Sequence, residues 1–128
     1  MSAIKLLCLW LLAAFMVGVG ILHFVESEPF SRIVPPPLPA LPTVYVSGVF
    51  EILGGVGILV PRTRKLAAWG LVALYVAVFP ANIYMAVAGI QLDPAKPLPE
   101  WGAWVRLPFQ VLFIAWAWWF TREPGEPR

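Results

Sequence analysis

The sequence is short of the side chains on which most catalytic and metal chemistry depends. Its one cysteine, Cys8, excludes an internal disulfide, a Cys-x-x-Cys dithiol and a thiolate zinc site. Its one histidine, His23, excludes a multi-histidine metal or haem site within a single chain. Charge is scarce too: 12% of residues are Asp, Glu, Lys or Arg, against about 25% in a soluble domain. The nine Lys and Arg leave a formal net charge of +2, but they are scattered rather than gathered into a stripe. Nucleic-acid binding therefore has no support.

What fills the 128 residues instead is apolar: 60% are hydrophobic and the mean hydropathy is +0.80. A chain this short has a large surface to cover, so that excess is too great for a water-soluble core. Long apolar runs divided by short polar punctuation indicate an integral membrane protein. With no heptad array or long repeat, the expected fold is all-α, a single four-helix transmembrane bundle over residues 1–128.

Four runs carry that expectation. The first covers residues 4–24, about 31 Å of helix at 1.5 Å per residue. Lys5 ahead of an apolar core suggests a cleavable signal peptide. However, the run is too long for one, and His23-Phe24-Val25-Glu26 is not a small-residue cleavage site. The second run covers 43–60 and stops at Pro61, the third covers 66–89, and the fourth starts between 101 and 104 and ends at Phe120. Each is long enough to cross about 30 Å of hydrocarbon. Pro29, Pro35, Pro36, Pro37, Pro39 and Pro42 forbid a continuous helix over 25–42. The apolar side chains of that segment (Phe30, Ile33, Val34, Leu38, Leu41) need cover, so it is expected to pack as a cap, with 33–39 an ordered lid. Pro94, Pro97 and Pro99 break the other long connection.

Basic residues orient the bundle. Arg62, Arg64 and Lys65 sit in the turn 61–65 without an acid, and Lys5, Arg122 and Arg128 mark the termini. The two proline-rich connections hold one basic residue each, Arg32 and Lys96, beside Glu26, Glu28, Asp93 and Glu100. Both termini and the turn are thus expected in the cytoplasm, and the proline-rich connections outside.

Polar residues inside the runs need individual accounts, because a charge there costs about 2.5–3.5 kcal/mol on insertion scales. Glu51 lies about 12 Å below the outer end of the second run and Arg106 about 8 Å below that of the fourth, by helical rise. Gln110 lies one turn deeper than Arg106. Asn82 lies near the outer end of the third run, and His23 at that of the first. All five fall in the outward half. Ser47, Glu51 and Gly55 follow at i, i+4, i+8 with Gly48 and Gly54 alongside, so the carboxylate shares a face with small residues and points into the bundle. Gly18 and Gly20 offer a partner surface on the first run.

Glu51 and Arg106 are expected to meet as an ion pair, either one that only joins two helices or one that lines a ligand or proton site. Asn82 and Gln110 read as hydrogen-bonding glue between helices or as ligand contacts. His23 reads as an interfacial anchor for the loop or as a proton-exchanging group. Cys8 reads as packing, and Trp116, Trp118 and Trp119 as an aromatic belt at the inner end. Pro80 and Pro108 free backbone carbonyls beside the polar residues.

These residues resemble the DoxX-like family of small bacterial four-span membrane proteins. The matching segments are Gly20-Ile21-Leu22-His23-Phe24, Val34-Pro35-Pro36-Pro37-Leu38-Pro39 and Ser47-Gly48-Val49-Phe50-Glu51-Ile52-Leu53-Gly54-Gly55. They continue with Val60-Pro61-Arg62-Thr63-Arg64, Val78-Phe79-Pro80-Ala81-Asn82-Ile83 and Arg106-Leu107-Pro108-Phe109-Gln110. The resemblance implies a four-helix bundle in the bacterial plasma membrane, associated with membrane redox systems. The branch of the family that uses paired cysteines needs a dithiol this chain lacks.

Two functions compete. In the first, the chain is an accessory subunit of a membrane redox system, more a helper than an enzyme in its own right. Its outward pocket takes a quinone- or lipid-like molecule, with Arg106 or Asn82 bonded to a head-group oxygen and Glu51 with His23 exchanging protons. It carries no intrinsic cofactor, and its partners are membrane lipid and a redox protein, with a homo-oligomer left open. In the second, it is a non-catalytic assembly or anchoring factor whose polar cluster is purely structural. Transport is disfavoured because polarity falls off toward the cytoplasmic half. Hydrolysis is disfavoured because nothing orients His23 as a base for Ser47.

Overall fold

A computed structural model describes residues 1–91, 97 and 99–122. Asp93, Pro94, Lys96 and Arg128, which enter the reading of the second connection and the tail, lie outside the described residues. Among those described, all regular structure is helical: α1 (Ala3–Val25), α2 (Ser27–Ser31), α3 (Ala40–Leu59), α4 (Arg64–Ala88) and α5 (Glu100–Trp119). By length and composition α1, α3 and α4 can each cross a membrane.

Local chemistry fixes the helix ends. The Ser2 side chain caps α1 by accepting from the Lys5 amide at 3.1 Å. At the tight turn after α3, Thr63 Oγ1 donates to the Gly57 carbonyl at 2.7 Å and Arg64 Nε to the Ile58 carbonyl at 2.7 Å. A cation thereby satisfies the orphaned acceptors at a helix C-terminus. Gly89 closes α4 in the left-handed region, φ 67°, while the Ile90 amide reaches back to the Met85 carbonyl.

Proline behaves less disruptively than expected over 25–42. Pro29 lies in the short α2, and Pro42 lies in the first turn of α3, which begins at Ala40. Amides in a first turn have no intrahelical acceptor, so proline loses nothing there. Both α4 and α5 continue through their internal prolines, Pro80 and Pro108.

The long helices pack in sequence order, α1 on α3, α3 on α4 and α4 on α5. In a lipid-like setting such seams depend on close approach rather than on expulsion of water. At the α1–α3 seam a Cβ on Gly20 would lie 2.9 Å from the Gly48 carbonyl, and one on Gly55 would lie 3.1 Å from the Ala13 carbonyl. Gly54 admits Leu71 of α4 in the same way. The expected role of Gly18 is not met, since it has open space beside it.

The two ends of this arrangement differ. Toward the α3–α4 turn, Leu9, Leu12, Met16, Ile58, Leu71 and Phe120 form a packed core. Cys8 packs against it, as do Trp116 and Trp119, which turn inward; Trp118 remains exposed, with the Arg122 guanidinium 5.1 Å from its ring. Lys5 is buried there as well, 5.4 Å from the Trp119 ring centre. The other end, under α2, is hollow.

A polar-rimmed cavity as candidate functional site

The hollow end holds an open cavity of about 490 Å³, within the range of about 300–1,000 Å³ typical of small-molecule sites. All four long helices contribute to its wall, and Phe30, Ile33 and Val34 roof it. The lid is therefore carried by residues 30–34. Pro36, Pro37, Leu38 and Pro39, expected to form most of it, are exposed. Phe30 is held by stacking on the His23 ring at 4.2 Å, which joins the cap to α1.

All five polar residues singled out in the sequence line this cavity. They divide into two groups. On one side Glu51, only 4% exposed, accepts from the Tyr75 hydroxyl at 2.8 Å through Oε1. Its other oxygen, Oε2, lies 3.3 Å from His23 Nδ1 yet has no hydrogen-bond donor among the described residues. The two facts agree, because His23 Nδ1 donates to the Val19 carbonyl at 2.8 Å and its hydrogen is spent there. On the other side Asn82 Nδ2 donates to Gln110 Oε1, and Gln110 Nε2 donates to the Tyr75 carbonyl at 2.8 Å. Arg106 Nη2 approaches Asn82 Oδ1 at 3.4 Å, a long contact for a group with five donors.

The ion pair expected between Glu51 and Arg106 does not form. Glu51 is held by Tyr75, with the His23 ring beside it, and Arg106 by Asn82. Helical rise estimates depth but says nothing of which helices are neighbours. Glu51 lies on α3 and Arg106 on α5, and α4 packs against both.

Tyr75 was not singled out in the sequence, and it links the two groups: its hydroxyl serves Glu51 and its backbone carbonyl serves Gln110. One signal was available. Tyr75, Val78 and Asn82 follow at i, i+3, i+7 on α4, so a tyrosine shares the face of a mid-helix asparagine. Apart from the hydroxyls of Thr43 and Ser47 the rest of the wall is apolar, with Phe15, Val19, Leu22, Phe109 and Phe113 among it. Among the described residues no group of three or more His, Cys, Asp or Glu is placed to hold a metal ion. The arrangement offers hydrogen-bond acceptance at Glu51 Oε2, donation at Arg106, and apolar surface below.

Fold and site together define a class: an all-helical protein with three membrane-capable helices and a polar-rimmed apolar cavity. Within that class, residues 12–121 match the family described as a domain of unknown function, DUF8561, and the chain belongs to it. The matched stretch includes every residue that lines the cavity. No curated protein and no solved structure matches the chain.

Proposed function

We propose that this chain is a four-span protein of the bacterial plasma membrane that binds an amphipathic, quinone- or lipid-like molecule as an accessory subunit of a membrane redox system. The observation that carries the binding reading is Glu51 Oε2: a deeply buried carboxylate oxygen without a donor, at the edge of an apolar cavity that also holds Arg106. Leaving a buried acceptor unmatched costs about 1–3 kcal/mol, so a ligand donor at that point relieves a standing penalty. Arg106 supplies the complementary donors for a carbonyl or anionic oxygen, and His23 completes a proton-exchanging pair with Glu51. α5 is the fourth span. Lys5, Arg62, Arg64, Lys65 and Arg122 gather at the end away from the cavity, which supports a cytoplasmic placement of that end. The redox association rests on the resemblance to DoxX-like proteins.

A structural role for the polar groups, as in an assembly or anchoring factor, draws support from one feature. The Asn82–Gln110–Tyr75 chain is complete without any ligand. Native mass spectrometry of protein extracted in mild detergent separates the two readings. One apolar adduct per chain is expected, reduced by Glu51→Gln and lost on Arg106→Leu, and organic extraction assigns it as quinone or lipid. A bare mass, with one stoichiometric partner protein instead, would establish the structural reading.

A further inference from the structure

The exposed residues that line the cavity all lie on two helices. Phe15 (42% exposed) and Leu22 (44%) lie on α1, and Phe109 (54%) lies on α5. By contrast, the wall contributed by α3 and α4 is buried or half-buried throughout, as are the roof residues Phe30, Ile33 and Val34. The opening is therefore at the side, along α1 and α5, and not through the cap.

The helix arrangement accounts for this. The sequence-adjacent long helices make close-packed seams, whereas α1 and α5 face each other without one. They meet through side chains in the lower half: Phe15 stacks on Phe113 at 4.6 Å, and Lys5 lies over Trp119 and Phe120. In antiparallel helices, Val19 and Phe109 each lie about 6 Å above that stack by helical rise, with Leu22 and Arg106 higher. Above the Phe15–Phe113 stack, which forms a sill, the α1–α5 gap runs into the cavity.

We infer that the cavity is loaded sideways from the bilayer through the gap between α1 and α5. This rests on the membrane-binding reading above. The occupant is a lipid-soluble amphipath: its tail lies in the gap against Leu22, Phe109 and the Phe15–Phe113 sill, and its head turns inward to Glu51 and Arg106. Water-soluble solutes are excluded by route as well as by lining. Leu22 and Phe109 set the width of the entrance, so they govern the rate of loading more than the strength of head-group binding.

The test needs no identified ligand. Ser47→Cys, nearly isosteric and on the cavity wall, is introduced in a Cys8→Ser background and reconstituted into phospholipid vesicles. Its thiol is then challenged with an alkyl maleimide dissolved in the bilayer and with a sulfonated maleimide in the water. The alkyl reagent should label it and the sulfonated one should not. Leu22→Trp should slow alkyl labelling by about tenfold and Phe109→Ala should speed it. A control thiol from Val76→Cys, on the exposed face of α4, should react equally in all backgrounds. Labelling by the sulfonated reagent with no response to the seam variants would overturn the inference, because the cavity would then open through its cap. Labelling by neither reagent would also overturn it. Seam-dependent labelling without any native adduct would leave the route standing and defeat the ligand reading instead.

Discussion

Glu51 and Arg106 bring opposite charges to one cavity, and each is held by a different neutral neighbour. Stability should therefore couple along contacts and not along charge. Among the described residues, Tyr75→Phe removes the only donor to Glu51 Oε1 and leaves a buried carboxylate with neither oxygen matched, a loss of about 1–3 kcal/mol. Removing both partners leaves nothing stranded, so Glu51→Leu combined with Tyr75→Phe should cost less than the sum of the single changes, with a coupling of order 1 kcal/mol. The same cycle between Glu51→Leu and Arg106→Leu should be close to additive. Thermal unfolding in detergent measures both cycles, and strong coupling in the second with none in the first would refute the observed geometry. The five polar residues were legible in the sequence because a charge or amide inside an apolar run has no inexpensive explanation. Tyr75 was not, because a tyrosine in such a run is ordinary until its hydroxyl is seen to be buried. The pairing itself was illegible for a different reason: it depends on how each helix is rotated and on which helix it neighbours.

At the scale of the helix, contact between α1 and α3 is set by the absence of side chains. A methyl group on Gly48 would lie 2.8 Å from His23 Cβ and 3.0 Å from the Gly20 carbonyl, so α1 would have to move. A methyl group on Gly70 of α4 meets nothing within 4 Å. Gly48→Ala should therefore destabilise the protein by about 1–3 kcal/mol through overpacking, and should shift His23 relative to Glu51. Gly70→Ala should be neutral or stabilise by up to about 1 kcal/mol, as expected for alanine in an exposed helix interior. Unfolding of the two variants side by side checks this, and equal effects would mean that the seam is not closely packed. The long helices themselves were easily read, since apolar runs bounded by proline and glycine mark helix ends to within a few residues. Where the reading missed, at α2 and the start of α3, proline stood in a first turn, a position that costs it no hydrogen bond. The cap was half legible: its apolar residues were recognised as needing cover, but Phe30, Ile33 and Val34 find it while Leu38 does not.

For the whole molecule, the composition shows an asymmetry that the fold turns into two distinct ends. The α3–α4 turn, the start of α1 and the end of α5 share one end, the one with the packed core and the buried Lys5. The cavity, with α2 above it, occupies the other. Composition could not reveal the hollow, because filled and hollow halves are built from the same Phe, Leu and Val side chains; only the mutual distance of α1 and α5 separates them. The proposed orientation, by contrast, is argued from charge alone. Arg62, Arg64 and Lys65 cluster without an acid at the end opposite the cavity, while the exposed Glu28–Arg32 pair beside it is close to neutral. Under the proposed membrane placement, retention of Lys and Arg on the cytoplasmic side predicts the turn inside and the cavity end outside. In a Cys8→Ser background, Thr63→Cys should resist a membrane-impermeant maleimide in intact cells and react once the membrane is opened. Leu38→Cys, exposed in the segment after α2, should react in intact cells. The reverse pattern would invert the protein and set the cavity against the cytoplasm. Labelling of both positions from outside would mean an even number of crossings between them, removing α3 as a simple span. Because α1 and α5 must run antiparallel for their gap to open beside the cavity, Ser2→Cys should share the behaviour of Thr63→Cys; if it labelled from outside instead, the sideways entrance would have no membrane to open into.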